Sequence, residues 1–149
     1  MLAEEIMSRN VVTVGQDASV SDAAAVMSNL QIGCVVVRNR ERIVGILTER
    51  DILTSIVIPG KNSKDVKVKD IMSSPVKMIA PDTTVEEVAD IMSASRIRRL
   101  PVVKNRKLVG IVTSSDVVRI YLDVDKVIRE LAVKDADEIR ERAKKYGSV

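Results

Sequence analysis

The chain has 149 residues, 46% of them hydrophobic and 30% charged, with 24 basic against 21 acidic side chains for a net charge of +3. That composition excludes disorder and supports one core, or two fused small ones, while 1% aromatics and no histidine remove the stacking platforms of single-strand binders, the commonest general base and the commonest metal ligand. Cys34 alone cannot build a disulfide framework, the opening MLAEEIMSRN does not read as a signal peptide, and no run reaches the roughly 20 apolar residues of a membrane helix, so the expectation is a cytoplasmic protein without a membrane partner.

A short strand is predicted over residues 11–14, and Gln16-Asp17 turns the chain. A helix follows with Val20, Ala23, Ala24 and Met27 at helical spacing, opened by Ser19 three residues before Asp22 as a capping box. Runs 34–37 and 43–47 read as strands joined by a polar turn at 39–41, and a second helix starts at Thr48. Residues 58–69, broken by Pro59-Gly60, are the one linker-like stretch. The same succession then recurs: a strand over 76–79, a helix on Val85, Val88, Ala89 and Met92 boxed by Thr84 and Glu87, strands over 100–103 and 108–112, and a helix from Thr113.

The recurrence is a duplication. Shifted by 65 residues, positions 6–53 match 71–118 at 16 of 48 places without a gap. Ile6-Met7-Ser8 lies over Ile71-Met72-Ser73, and Val44-Gly45-Ile46-x-Thr48-x-x-Asp51 over Val109-Gly110-Ile111-x-Thr113-x-x-Asp116. The expected fold is therefore α/β (α+β), with tandem β-α-β-β-α repeats at 1–60 and 61–122 packed about a pseudo-two-fold axis. A C-terminal helical extension occupies 123–149. Its helix, from 123 to about 146, carries a stripe of Val124, Val127, Ile128 and Leu131, continued by Ala136, Ile139 and Ala143. It reads first as a capping helix packed on the module with a solvated outer face, and alternatively as a dimerisation helix. Met7, Met27, Met72 and Met92 read as core filling.

The repeated Gly-h-x-Thr-x-x-Asp carries the chemistry. Glycine ending a buried strand lets backbone approach a ligand, a helix start presents unpaired N–H groups that suit a phosphate, and an acid one turn on can accept both hydroxyls of a ribose. Thr-x-x-Asp is also an ordinary helix cap, and a single copy would read as only that. Two copies in register, each after a strand and a glycine, favour ligand binding.

With the run Arg96-Ile97-Arg98-Arg99-Leu100-Pro101-Val102-Val103, these blocks make residues 1 to about 121 resemble a CBS-domain pair. The resemblance implies a regulatory module with no required cofactor, binding adenosine-containing ligands such as AMP, ADP, ATP or S-adenosylmethionine. It also implies association into homodimers. Carried over residue by residue, cleft one joins Ile46, Thr48 and Asp51 to Lys77, Ile97, Arg98, Arg99 and Pro101. Cleft two joins Ile111, Thr113, Ser115 and Asp116 to Val12, Ile32, Gly33, Cys34 and Val35. Arg98 and Arg99 could neutralise phosphates, so cleft one is expected to be the tighter nucleotide site. Cleft two, with Gly33 and Cys34 there and Val36 in place of Pro101, departs from the pattern.

Three functions compete. A sensor would pass its ligand state to an effector protein. An enzyme is disfavoured, because no nucleophile–base pair, metal cluster or P-loop is visible. A scaffold or nucleic-acid-binding protein would use the same clefts and the basic C-terminal helix, against which the missing aromatics weigh. The expected class is a ligand sensor that is not an enzyme.

Overall fold

The computed structural model describes residues 1–145. A helical turn α1 (Ala3–Ile6) precedes strand β1 (Thr13–Gly15), helix α2 (Val20–Leu30), strands β2 (Cys34–Asn39) and β3 (Arg42–Thr48), and a short helix α3 (Glu49–Ile52) that runs into a π-helical turn at Leu53–Val57. The second copy gives the turn α4 (Val68–Ile71), helix α5 (Val85–Ser95), strands β4 (Arg99–Lys104) and β5 (Lys107–Thr113), and helix α6 (Ser114–Lys145).

The first sheet has order β1-β2-β3, with β1 parallel to β2 and β2 antiparallel to β3. The second is the β4-β5 hairpin. The strand expected over 76–79 shrinks to one parallel bridge from Ile79 to Val102. Within it Lys77 and Met78 are exposed and only Ile79 is buried in the second core, so Ile79 alone is held against β4. The capping boxes also differ. Thr84 and Glu87 exchange both bonds, whereas Ser19 accepts from the Asp22 amide at 3.0 Å and makes only that half.

The two cores are not the two linear repeats. One gathers Ala23, Met27, Val35, Val37 and Leu47 around Val68, which comes from α4. The other gathers Val85, Val88, Met92, Leu100, Val102 and Val112 around Ala3, which comes from α1. Each opening segment thus crosses to the opposite copy. Ala3 N–H donates to Thr83 O at 2.8 Å and Glu4 N–H to Pro81 O at 3.0 Å, while Val68 N–H donates to Ala18 O at 2.9 Å and Lys69 N–H to Gln16 O at 3.0 Å. Every position in the second pair of bonds is a 65-residue shift of the first, so the pseudo-two-fold relation is written in the hydrogen bonds.

Helix α6 corrects the reading of the tail. The repeat's last helix and the extension are one continuous element, and only its first turns pack: Val117 is buried and Ile120 half-buried against the second core. From residue 121 to 144 every side chain is exposed. Val124, Val127, Ile128 and Leu131 lie between 51% and 58% exposed, so the stripe is not packed on the module. No breaker interrupts residues 114–145, and the helix propagates past the body of the protein once its base is anchored. Its expected end near residue 146 lies outside the described residues. Among the described residues no helix is long and apolar enough to cross a membrane.

Candidate functional site

Each Thr-x-x-Asp corner is formed where a hairpin strand turns into a helix. Asp51 Oδ2 accepts the Thr48 N–H at 2.9 Å, and Thr48 Oγ1 accepts the Asp51 N–H at 3.2 Å. Asp116 Oδ2 likewise accepts the Thr113 N–H at 2.8 Å, and Thr113 Oγ1 accepts the Asp116 N–H at 3.3 Å. The cap reading is therefore realised in both copies, and it leaves lone pairs to spare. Asp51 meets the Ser73 hydroxyl at 3.3 Å from each oxygen. Asp116 meets Thr113 Oγ1–H at 2.8 Å and keeps Oδ1 towards Arg119 at 3.9 Å.

Cross-repeat bridges place the other walls. Ser8 pairs with Ile111 and Ser73 with Ile46, each through two backbone bonds of 2.9–3.1 Å. Gly45 and Gly110 lie two residues before the motif threonine's neighbour on the strand, and each admits a methionine. A Cβ on Gly45 would stand 2.8 Å from Met72 Cγ and closer to its sulfur, and one on Gly110 2.7 Å from Met7 Cγ. The motif glycines thus serve the seam between the copies.

Beside the second corner lies a cavity of about 240 Å³. It brings together six of the residues expected in cleft two: Val12, Ile32, Gly33, Cys34, Ile111 and Thr113. Ser8, Asn10, Val11 and Val36 complete the wall, with Arg99 as its one cation. Four other expected residues, Val35, Ser115, Asp116 and Arg99, are placed as follows. Val35 is 1% exposed and points into the first core, because strand side chains alternate and Cys34 and Val36 take the cleft face. Ser115 is exposed on α6, and Asp116 caps the helix beside the cavity without lining it. Arg99, assigned to cleft one, faces Cys34 and Gly33: its Nη2 would lie 3.5 Å from a Cβ on Gly33. Burial pushes the Cys34 thiol pKa up, and the Arg99 guanidinium opposes that rise.

In cleft one, Ile46 and Asp51 gather on Ser73 as described, with Thr48 half-buried between them. Pro101 is fully buried, Ile97 packs against the second core, and Lys77 and Arg98 are exposed. The Arg98 carbonyl accepts the Ser114 N–H at 2.8 Å, as the Gly33 carbonyl accepts the Glu49 N–H at 3.1 Å, so each strand start is tied to a helix start. Of the arginine pair that distinguished the clefts, Arg99 thus lines the second cavity and Arg98 is exposed.

Chemically, cleft two offers apolar faces for a flat ring, hydroxyl and amide groups at its rim, and one forked cation for an anionic group. Among the described residues no group of three or more His, Cys, Asp or Glu could hold a metal ion. Sequence reasoning missed Ser8, Asn10 and Val11. Repetition was the signal available for two of them, since Ser8 matches Ser73 and Val11 matches Val76; Asn10 carried none.

The family profile "CBS domain" matches residues 3–58 and 68–123. The chain is 37% identical over 137 residues to an uncharacterised protein of Methanopyrus kandleri, covering 91% of this chain and 70% of that one. It is 36% identical over 119 residues to inosine-5'-monophosphate dehydrogenase of Methanocaldococcus jannaschii, covering 78% of this chain but 23% of the enzyme. The solved structure of a hexameric CBS-CP12 protein from bloom-forming cyanobacteria superposes with a TM-score of 0.76 at 33% identity, over 93% of this chain and 86% of that one. Two matched copies, crossed at their opening segments and closed by paired Thr-x-x-Asp corners, mean that the chain belongs to the CBS-domain family, whose paired repeats serve in general as regulatory ligand-sensing modules.

Proposed function

We propose that this protein is a non-enzymatic sensor of adenosine-containing ligands, held in the clefts between its two repeats. The observation that carries the reading is the cavity of about 240 Å³ at the second corner, apolar on its faces and furnished with Thr113 and Arg99. An adenine fits between Val12, Ile32, Val36 and Ile111, and a phosphate or other anionic group meets Arg99. Asp116 accepts ribose hydroxyls by turning out from its cap. Cleft one is the second site, with Asp51 in the ribose role and Arg98 at its rim. The ligand shifts the relative pose of the repeats through its differential affinity for the two poses, and an effector protein reads the shift in a cytoplasmic setting.

Isothermal titration of AMP, ATP and S-adenosylmethionine against wild type, Asp51→Ala and Asp116→Ala tests this. Loss of a charge-assisted contact weakens binding by roughly 10- to 150-fold, and the variant that does so identifies the filled cleft. No binding by any of the three ligands would leave both corners as helix caps and overturn the reading.

A scaffold reading has one observation behind it, the exposed apolar stripe of α6. We infer that a second copy of the chain covers this stripe, giving a homodimer. A marginal isolated helix gains most of its stability from packing an amphipathic face, and the structural relative above is itself hexameric. A nucleic-acid role for the same helix is disfavoured, because acids are interspersed with its cations, some of them paired as Arg129–Asp125 and Arg140–Asp137, and aromatic platforms are scarce.

A further inference from the structure

The first repeat's hairpin tip carries a basic groove that adjoins cleft two at Val11 and is otherwise lined by other residues. It holds about 480 Å³, within the range of small-molecule sites. Arg9 enters from the segment before β1, Arg38 from β2, Arg40 from the tip and Lys107 from the start of β5. Strand β5 runs from Lys107 here to Thr113 at cleft two, a span of roughly 20 Å.

The cations of this groove meet only neutral acceptors among the described residues: Arg9 Nη2 donates to the Glu4 carbonyl at 3.4 Å. Thr13 Oγ1 accepts from Arg38 Nε at 3.3 Å, which orients the guanidinium and leaves its remaining N–H donors for another acceptor. Among the described residues Arg9, Arg38, Arg40 and Lys107 have no ion-pair partner, and neither has Glu41, the one acid in the wall. Lys67 and Lys69 both approach Asp17 instead. Arg40 also holds the left-handed backbone region at φ 56°, where glycine or asparagine is cheaper. The equivalent residue of the second repeat is an asparagine, Asn105, at φ 51°.

The second repeat is an internal control. Shifted by 65 residues, Arg9, Arg38 and Arg40 become Ser74, Val103 and Asn105, while Arg42 answers Lys107 and Arg106 answers Glu41. The second tip keeps cations only at its end and loses both that rise from the walls. Unpaired like charges around a concavity concentrate positive potential, and arginine forks match phosphate oxygens in pairs.

We propose that this groove binds a compact small molecule carrying at least two phosphate groups. Arg9, Arg38, Arg40 and Lys107 hold the phosphates, and Glu41 accepts from a hydroxyl or amine of the same ligand. A nucleic acid fits less well, because the charges line a concavity around an acid and no aromatic platform stands beside them. The inference does not rest on the adenosine reading of the clefts.

The test is calorimetric titration of inorganic triphosphate at two salt concentrations. The proteins are wild type, the double variant Arg38→Ala with Arg40→Ala, and the tip control Arg42→Ala with Arg106→Ala. Titration with adenosine, which lacks phosphate, reports on the clefts alone, so one reading can fail without the other. Expected are one triphosphate per chain, a loss of at least roughly tenfold in the first variant, and near-wild-type binding in the second. Absent binding, or an equal loss in both variants, would overturn the proposal in favour of diffuse surface charge. A DNA duplex held more tightly than triphosphate, and lost in the same first variant, would overturn it in favour of a nucleic-acid surface.

Discussion

The side chain of Met7 occupies the space that a Cβ on Gly110 would fill, and Met72 does the same at Gly45. These two contacts pin each crossed segment to the opposite hairpin. Gly110→Ala also presses on Ser8 O, 3.0 Å from the new Cβ. We expect it to cost about 1–3 kcal/mol, the usual range for overpacking. Combined with Met7→Ala, the loss should be smaller than the sum of the single losses, with a coupling of about 0.5 kcal/mol or more. Urea unfolding of the four proteins in the cycle measures this, and strict additivity would contradict the contact.

Arg99 should discriminate ligands by charge. In Arg99→Ala, AMP affinity is expected to fall by about tenfold or more while that of uncharged adenosine changes little. Titration of both ligands against both proteins checks it. An equal loss for the two would mean that Arg99 shapes the cavity instead of meeting an anion.

Asp17 gives a pH signature. Its hydrogen bond and attraction to Lys69, 3.1 Å away, hold its carboxyl below the usual range, with Lys67 at 3.8 Å helping. A folded-state value depressed below the unfolded one means that its contribution is present above the ordinary aspartate pKa near 3.9 and is lost as pH falls through the folded value. Wild type should therefore exceed Asp17→Asn slightly in stability at neutral pH, with the gap closing under acid. Because the pair is exposed, the gap should also shrink in high salt. Denaturation at pH 7 and at acid pH, with and without added salt, makes the comparison.

Helix α6 predicts concentration dependence. Leu131→Glu places a charge in the apolar stripe, so the variant should sediment as a monomer at concentrations where wild type self-associates. Its helical signal near 222 nm should fall, since residues beyond the body lose their cover. Wild type that is monomeric at high concentration would exclude the second copy as that cover.

Much of this architecture was legible because duplication supplied the same evidence twice. Hairpins β2-β3 and β4-β5, helices α2 and α5 and both Thr-x-x-Asp corners were expected within a few residues, since alternation, helical spacing and capping are local signals. The exchange of α1 and α4 was hidden, because four-residue turns carry too little pattern to reveal which core they enter. The Val35 side chain enters the first core while Cys34 and Val36 line the cavity, an alternation that the two-residue period of a strand makes legible. Arg99 could not be allotted from spacing at all, because a residue at a pseudo-symmetric seam can serve either side. The stripe of α6 was read correctly as apolar, but a stripe does not say whether its own chain supplies the cover.

The crossing of the opening segments bears on ancestry. A polypeptide holding a single copy would own a hairpin and a helix but would lack the valine or alanine that the opposite copy inserts beneath them. Two such polypeptides could complete each other by trading their first few residues about a true rotational axis. The tandem chain holds that arrangement within one polypeptide, so its internal axis takes the place that a rotational axis between two chains would have.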